Sequence, residues 1–266
     1  MIEIRHRHTG DLFLQMEVEE FANGGLVGRD LSRANLRHTA WFNRNLSGVD
    51  LTEADMTGIK LLSSSLEGAN LSRVHLRKAD LEYANLINCN LQEALLSGAT
   101  LFYCRLQGAQ LKGAIFSFAR LIAVDLSGQE LVKLRMRFAS LSSVKMTGAD
   151  LTDAVLIGTH FQKCDLQAAQ LTRAKLSGSV FIGVNWKDAD LSQAIFKNTS
   201  FVNCTGLHEA KGLTAIEHRG PSSLDIATLR ASVHALPDEF LTKIGYTEAE
   251  IACWRGLYPV SKAPDN

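Results

Sequence analysis

Residues 66–100 read LEGAN LSRVH LRKAD LEYAN LINCN LQEAL LSGAT, seven blocks of five that each begin with leucine. Outward from there the phase holds from Leu26 to Phe201, where all 36 positions at five-residue steps are Leu, Met, Phe or Trp. Helices gather apolar residues on one face at a period of about 3.6 and strands at about 2, so a strict period of five suits neither. It suits a chain that turns a corner every five residues with the central side chain pointing inward, four blocks closing one square coil. The residue two before each centre is Ala, Gly, Ser, Thr, Val or Cys in 31 of the 36 blocks, small enough to share a narrow interior. The exceptions are Arg29, Arg44, Ile59, Gln129 and Leu134.

Blocks such as Ala149-Asp150-Leu151-Thr152-Asp153 and Ala69-Asn70-Leu71-Ser72-Arg73 resemble the A(D/N)LXX motif of the pentapeptide-repeat family. The resemblance implies an all-β solenoid, a right-handed quadrilateral β-helix of about nine coils and roughly 43 Å in length at a strand spacing of ~4.8 Å. It also implies a protein that works by offering surfaces to partners. Some members bind topoisomerases by mimicking B-form DNA and protect gyrase from inhibitors.

Stacked strands leave unpaired backbone at both ends, so a solenoid needs caps. Residues 1–23 supply the first: Ile2 to Arg7 and Leu12 to Val18 flank His8-Thr9-Gly10-Asp11, the pattern of a β-hairpin. The repeat then occupies 24–205. In residues 206–266 the period stops at Gly206, and a polar linker runs to Pro221 before a small α-helical cap. Ser223 is placed to cap a helix bearing Ile226, Leu229 and Val233. Pro237 suits the start of a second, with Phe240, Leu241 and Ile244 as its apolar face and Gly245 as its stop. Thr247-Glu248-Ala249-Glu250 is a capping-box pattern opening a third that holds Ile251 and Trp254. Two roles are open to Phe240, Leu241, Ile244 and Trp254: a plug for the last coil, or a homodimer contact.

Composition excludes several classes of function. The 28 basic and 28 acidic residues cancel, so no global field draws the chain to nucleic acid or an anionic membrane. The first ten residues lack an apolar core of signal-peptide type and no run of eighteen apolar residues occurs, the pattern of a non-secreted, cytoplasmic protein. Five cysteines without a CxxC pair suggest neither a disulfide framework nor a zinc site. Cys89, Cys104, Cys164 and Cys204 fall in the small inward slot, as apolar fillers. No phosphate loop, dinucleotide fingerprint or nucleophile elbow is found. His6 and His8 could share a metal, but no third ligand is evident. The expectation is a non-enzyme without metal, cofactor or small-molecule substrate.

Residues twenty apart stack on one face, so the exterior sorts into columns. Face one, centred on Leu46, Leu66 and Leu86, carries Gly28, Gly48, Gly68, Asn88, Gly108, Gly128 and Gly148, a column for turns. Face two, centred on Leu31, Leu51 and Leu71, is mildly acidic. Face three, centred on Leu36, Met56 and Leu76, is basic through Arg37, Arg77, Lys78, Arg135, Arg137, Lys175 and Lys197, and it presents Leu95, Ile115, Phe118, Phe138, Val155 and Ile157 outward. Face four adds Phe42, Leu62, Phe102, Ile122, Ile182 and Val202, with Tyr83 and Tyr103. A contiguous apolar patch on a soluble protein marks an interaction surface. The expected docking residues are therefore Leu95, Ile115, Phe118, Phe138, Val155, Ile157, Arg77, Lys78, Arg135, Arg137, Phe102, Tyr103 and Ile122. The leading expectation is a scaffold that docks another protein. The alternative is a gyrase-type topoisomerase modulator, which a DNA mimic could be only with a strongly negative surface. Residues 24–203 hold 20 Lys and Arg against 15 Asp and Glu. Direct nucleic-acid or membrane binding is disfavoured, because stacking aromatics are few.

Overall fold

The computed structural model describes residues 1–258. The repeat winds as a right-handed quadrilateral β-helix, and its register is set by parallel pairing of each residue with the one twenty later. Asp30 pairs with Asp50, Asp50 with Asn70, Asn70 with Asn90, and the same offset persists to Asn185 with Thr205. Centres from Leu31 to Phe201 are buried, as are most of the small residues two before them, in one continuous core. Regular strands form a seven-stranded parallel ladder on face four, running from Thr100–Phe102 to Ser223–Leu224 and spanning six steps. That is fewer than the nine coils expected, and the earlier coils are joined by single bridges in the same register.

Two devices explain the repeat locally. Every position two after a centre, 24 non-glycine residues and 12 glycines, has positive φ, so each block ends in a left-handed corner. The requirement extends beyond the glycine column of face one to all four corners. In addition, the Asp or Asn before a centre accepts a hydrogen bond from the backbone N–H two residues on, as in Ser32 to Asp30 at 2.8 Å and Thr52 to Asp50 at 2.8 Å. This short-range bond favours the turn over helix or extended strand. The backbone N–H of Ser32 also holds the Asp30 carboxyl below its ordinary range.

The inward slot follows a rule of its own. Ser64, Cys89, Cys104, Thr159, Ser179 and Thr199 each donate to the carbonyl 23 residues earlier, one coil below. These six side chains satisfy their polar atoms inside the tube in this way. The two basic exceptions lie near the open N-terminal end: Arg29 reaches Glu20, and Arg44 lies 4.9 Å over the ring of Phe21.

At the N-terminus β1 (Ile2–His6) and β2 (Leu12–Met16) form the antiparallel hairpin. Arg5 and His6 of β1 continue onto Asn35 and Ala34, which form β3 (Ala34–Asn35) in the first coil. A short helix follows that the sequence pattern had not announced, α1 (Val18–Ala22), and its Phe21 meets Trp41 edge-on at 5.2 Å to close the tube.

The C-terminus departs from expectation more. The pentad period ends near Gly206, yet the chain stays on the stack for another turn: Lys211 pairs with Asp190, Glu217–His218 with Ile195–Phe196, and Ser223–Leu224 with Ser200–Phe201. The offset therefore grows from 20 to 21, 22 and 23, because 3-10 turns at Leu207–Glu209 and Leu213–Ala215 and the bend at 219–220 each add a residue at a corner. Leu207, Leu213 and Leu224 are buried where centres would be, and His218 takes the remaining place above Phe196.

Three helices complete the cap: α2 (Ile226–Ser232), α3 (Asp238–Ile244) and α4 (Glu248–Leu257). Asp225, not Ser223, caps α2 by accepting from Thr228 N–H, since Ser223 is committed to the ladder. Ile226 is 56% exposed, so the buried face of α2 is carried by Leu229 and Val233. Gly245 terminates α3 at φ 120, and Thr247 with Glu250 forms the reciprocal capping box of α4. Among the described residues, no helix is long and apolar enough to cross a membrane.

Candidate protein-docking face

The expected docking residues divide into groups by the register. Leu95, Ile115, Arg135 and Val155 are successive rungs of one outward column on face three, so Arg135 interrupts the apolar run. Arg137 and Ile157 are successive rungs of the neighbouring column. Phe118 and Phe138 occupy the corner between faces three and four, where their rings stack at 5.3 Å with 20° between planes and are 63% and 54% exposed. Phe102 and Ile122 pair on face four. Tyr103 sits on the far corner of that face, stacked on Tyr83 at 5.1 Å. The result is an aromatic band crossing face four from corner to corner. Arg77 and Lys78 are not part of it, since three coil steps of ~4.8 Å each separate Arg77 from Arg137 in its column.

One member of the band escaped the sequence reading. The Arg120 guanidinium lies 4.9 Å over the Phe102 ring, a cation–π arrangement. Its signal was an offset of 18, which joins an outward residue after one centre to the residue before the centre one coil on. The same diagonal recurs in Asn70 to Thr52 and Gln92 to Gln110.

Phe138 also explains a glycine. A Cβ on Gly158, one coil further, would fall 2.5 Å from Phe138 Cδ1, so the ring lies flat across that corner. Electrostatics separate the faces. On face two Glu53 pairs with Arg33 at 3.0 Å and Arg73 at 3.5 Å, and Asp153 pairs with Arg173 at 2.8 Å. The Arg33 hydrogen bond holds Glu53 below its usual range, and Arg173 does the same to Asp153. On face three, burial pushes the His75 imidazole down, helped by Arg7, so it stays neutral and leaves the positive charge to arginine and lysine.

The model of pentapeptide repeats matches eight times, in overlapping segments that run from residue 30 to residue 205. The chain belongs to the pentapeptide repeat family. Among solved structures this pentapeptide repeat protein is similar to HetL, a protein involved in heterocyst differentiation regulation from the cyanobacterium Nostoc sp. strain PCC 7120. The two are 26% identical with a TM-score of 0.54, over 75% of this chain and 94% of HetL. Full-length QnrB1, a plasmid-mediated fluoroquinolone resistance protein, is 20% identical with a TM-score of 0.47, over 83% of this chain and 97% of QnrB1. No curated protein matches the sequence.

The residues offered for a cap or dimer are turned inward. Phe240, Leu241 and Ile244 are buried, Phe240 against His218 at 5.9 Å, and Trp254 is half-buried and stacked on Tyr258. His6 and His8 have rings 5.8 Å apart, and His6 Nδ1 accepts from Thr9 N–H within the hairpin turn.

Proposed function

We propose that this pentapeptide repeat protein is a cytoplasmic, non-catalytic scaffold that docks another protein on face four and on the corner shared with face three. The observation that carries the reading is the placement of Phe118 and Phe138. A left-handed corner costs an L-residue roughly 1–2 kcal/mol, and bulky side chains are the least suited to it. Two phenylalanines stand on successive corners, stacked and largely in water, where Gly158 and Gly178 serve the same column two and three coils beyond Phe118. Burying such rings against a partner supplies the return on that cost. Arg120, Arg135 and Arg137 around the band suit a partner surface with acidic groups. Similarity to HetL, whose role is regulatory, supports docking over chemistry. All five cysteines are free thiols, in keeping with a reducing compartment.

A topoisomerase modulator of the DNA-mimic kind needs a dominant negative surface. Here the repeat is net basic, and many of its carboxylates serve turns or ion pairs within the chain. The burial of Phe240, Leu241 and Ile244 supports their assignment to the cap of one chain over a contact between two.

The test is the double variant Phe118→Ser with Phe138→Ser. The expected result is an unchanged circular-dichroism spectrum with capture of the protein's own partners reduced at least tenfold. Unchanged capture would refute the face. Supercoiling by purified gyrase, with and without a quinolone-type poison, checks the other partner class: a response in either arm would replace the docking reading with topoisomerase modulation.

A further inference from the structure

On faces one and two the stack is open between two successive coils. Elsewhere along the repeat the centres and corners donate their backbone N–H to the coil above, apart from Leu26, Asp188 and Asn203 near the two ends, and from Asp50 onward the residue before a centre donates to the coil below. Among the described residues this pattern fails together at six donors: Leu106, Gly108, Leu111 and Gly113 on the lower lip, and Asp125 and Glu130 on the upper. The bridges that would join Arg105 to Asp125 and Gln110 to Glu130 are missing as well. Faces three and four stay closed at the same level, through Phe116 to Arg135 at 2.7 Å and the pairing of Thr100–Phe102 with Arg120–Ile122. The gap is thus a wedge, hinged on the aromatic side of the rod. A cavity of about 630 Å³ fills it, lined by Gln92, residues 108–112 and residues 127–130.

Gln129 accounts for the wedge. It stands in the inward slot and donates from Nε2 to the Leu106 carbonyl at 2.6 Å, the same 23-residue bond that Ser, Thr and Cys make elsewhere. Its chain is two atoms longer, so keeping that bond holds the coils apart. The slot leaks accordingly: Ala109 is 7% exposed, while the neighbouring Ala99 and Ala114 are fully buried. Gln129 Oε1 is buried at the cavity without a partner.

We infer that this wedge is a binding site for a peptide that follows the corner of the coil, taken up between the two lips by main-chain hydrogen bonds. Each lip presents backbone N–H and C=O groups on either side of a left-handed corner, at Gly108 below and Gly128 above, groups that pair with another length of backbone elsewhere in the stack. Unpaired backbone groups along an open edge are a template for pairing with another chain, and the volume is within the ~300–1,000 Å³ usual for ligand sites. The rim side chains Gln92, Gln110, Lys112 and Glu130 suit polar side chains on the peptide. The site lies on the opposite faces from the docking band and goes beyond that reading.

A pool of phage-displayed random heptapeptides panned on the full chain provides the probe, with Gln129→Ser as the closing variant, since serine already serves this slot at Ser64 and Ser179. In the free protein the six amide protons should exchange faster than their counterparts at Leu91 and Leu131. Selected peptides should protect all six, lose at least tenfold in affinity on Gln129→Ser, and bind Phe118→Ser with Phe138→Ser unchanged. Slow exchange of the six amides in the free chain, no enrichment, or peptides that bind Gln129→Ser equally well would each overturn the site, the last two leaving a wedge that holds only water.

Discussion

Leu95 and Leu96 are neighbours in sequence with opposite fates, and truncating each to alanine tests the tube directly. Leu96 is fully buried between Leu76 and Phe116, the centres one coil to either side. Its own N–H is bonded to Ile115 O at 2.7 Å and Leu95 N–H to Val74 O at 2.9 Å, so the backbone is held from above and below and cannot collapse into a void. Leu96→Ala should therefore fall in the upper part of the ~2–5 kcal/mol range for buried leucine, about 3–5 kcal/mol. Leu95 points outward and is half-buried by its column neighbours, so Leu95→Ala should cost about 1 kcal/mol or less. For a chain of this size 1 kcal/mol moves the melting midpoint by roughly 2–4 °C, giving a fall of about 6–20 °C for the first and under about 4 °C for the second. Paired thermal melts by circular dichroism at one protein concentration and scan rate give the comparison, which needs no absolute unfolding free energy. Equal shifts for the two variants would refute the assignment of inside and outside, and with it the period-five tube.

Three further outcomes follow from particular contacts. His218 lies between Phe196 and Phe240 with no partner for either ring nitrogen, and burial, with Lys243 nearby, pushes its imidazole down. The unfolded chain then binds the proton more readily, so cap stability should be complete above the ordinary imidazole value of about 6.5 and fall as pH drops below it; Trp254 fluorescence from pH 8 to 5 should show this, and His218→Leu should flatten it. Gly158→Ala puts a methyl group at φ 66 against the Phe138 ring, which should cost about 1–2 kcal/mol for the corner alone and swing Phe138 off Phe118, seen as weaker partner capture. Thiol labelling of the native protein should modify Cys253 quickly and leave the other four: Cys89 and Cys104 are pushed up to about 12 and Cys164 to about 11 by burial, and a thiol, unlike a thiolate, is a poor nucleophile. Rapid loss of two or more thiols would show that the tube opens in solution.

The regular part of the molecule could be read from the chain because inward positions tolerate so few residue types. A Leu at each fifth place and an Ala or Cys two before it leave no other register, and the capping box of Thr247 with Glu250 is equally local. The final turn was hidden because its centres, Leu207, Leu213, His218 and Leu224, follow spacings of six, five and six and include a histidine. Gln129 stood out as an exception, but its consequence depended on the length of a side chain relative to the distance between coils, which composition does not express. At the candidate face the apolar columns were visible one rung at a time, whereas Arg120 over Phe102 needed the diagonal between columns.

A coil of twenty residues is a template for another of the same length, since every free N–H lies directly below the place where the next C=O would arrive. The widened final turn breaks this copying: its perimeter no longer matches that of any coil a second molecule could lay on it. Growth into a fibre is thereby arrested by arithmetic in the chain itself before the helices add their cover. The rod should accept insertion or removal of whole twenty-residue storeys near its middle, between residues 145 and 165 for instance, with both termini undisturbed.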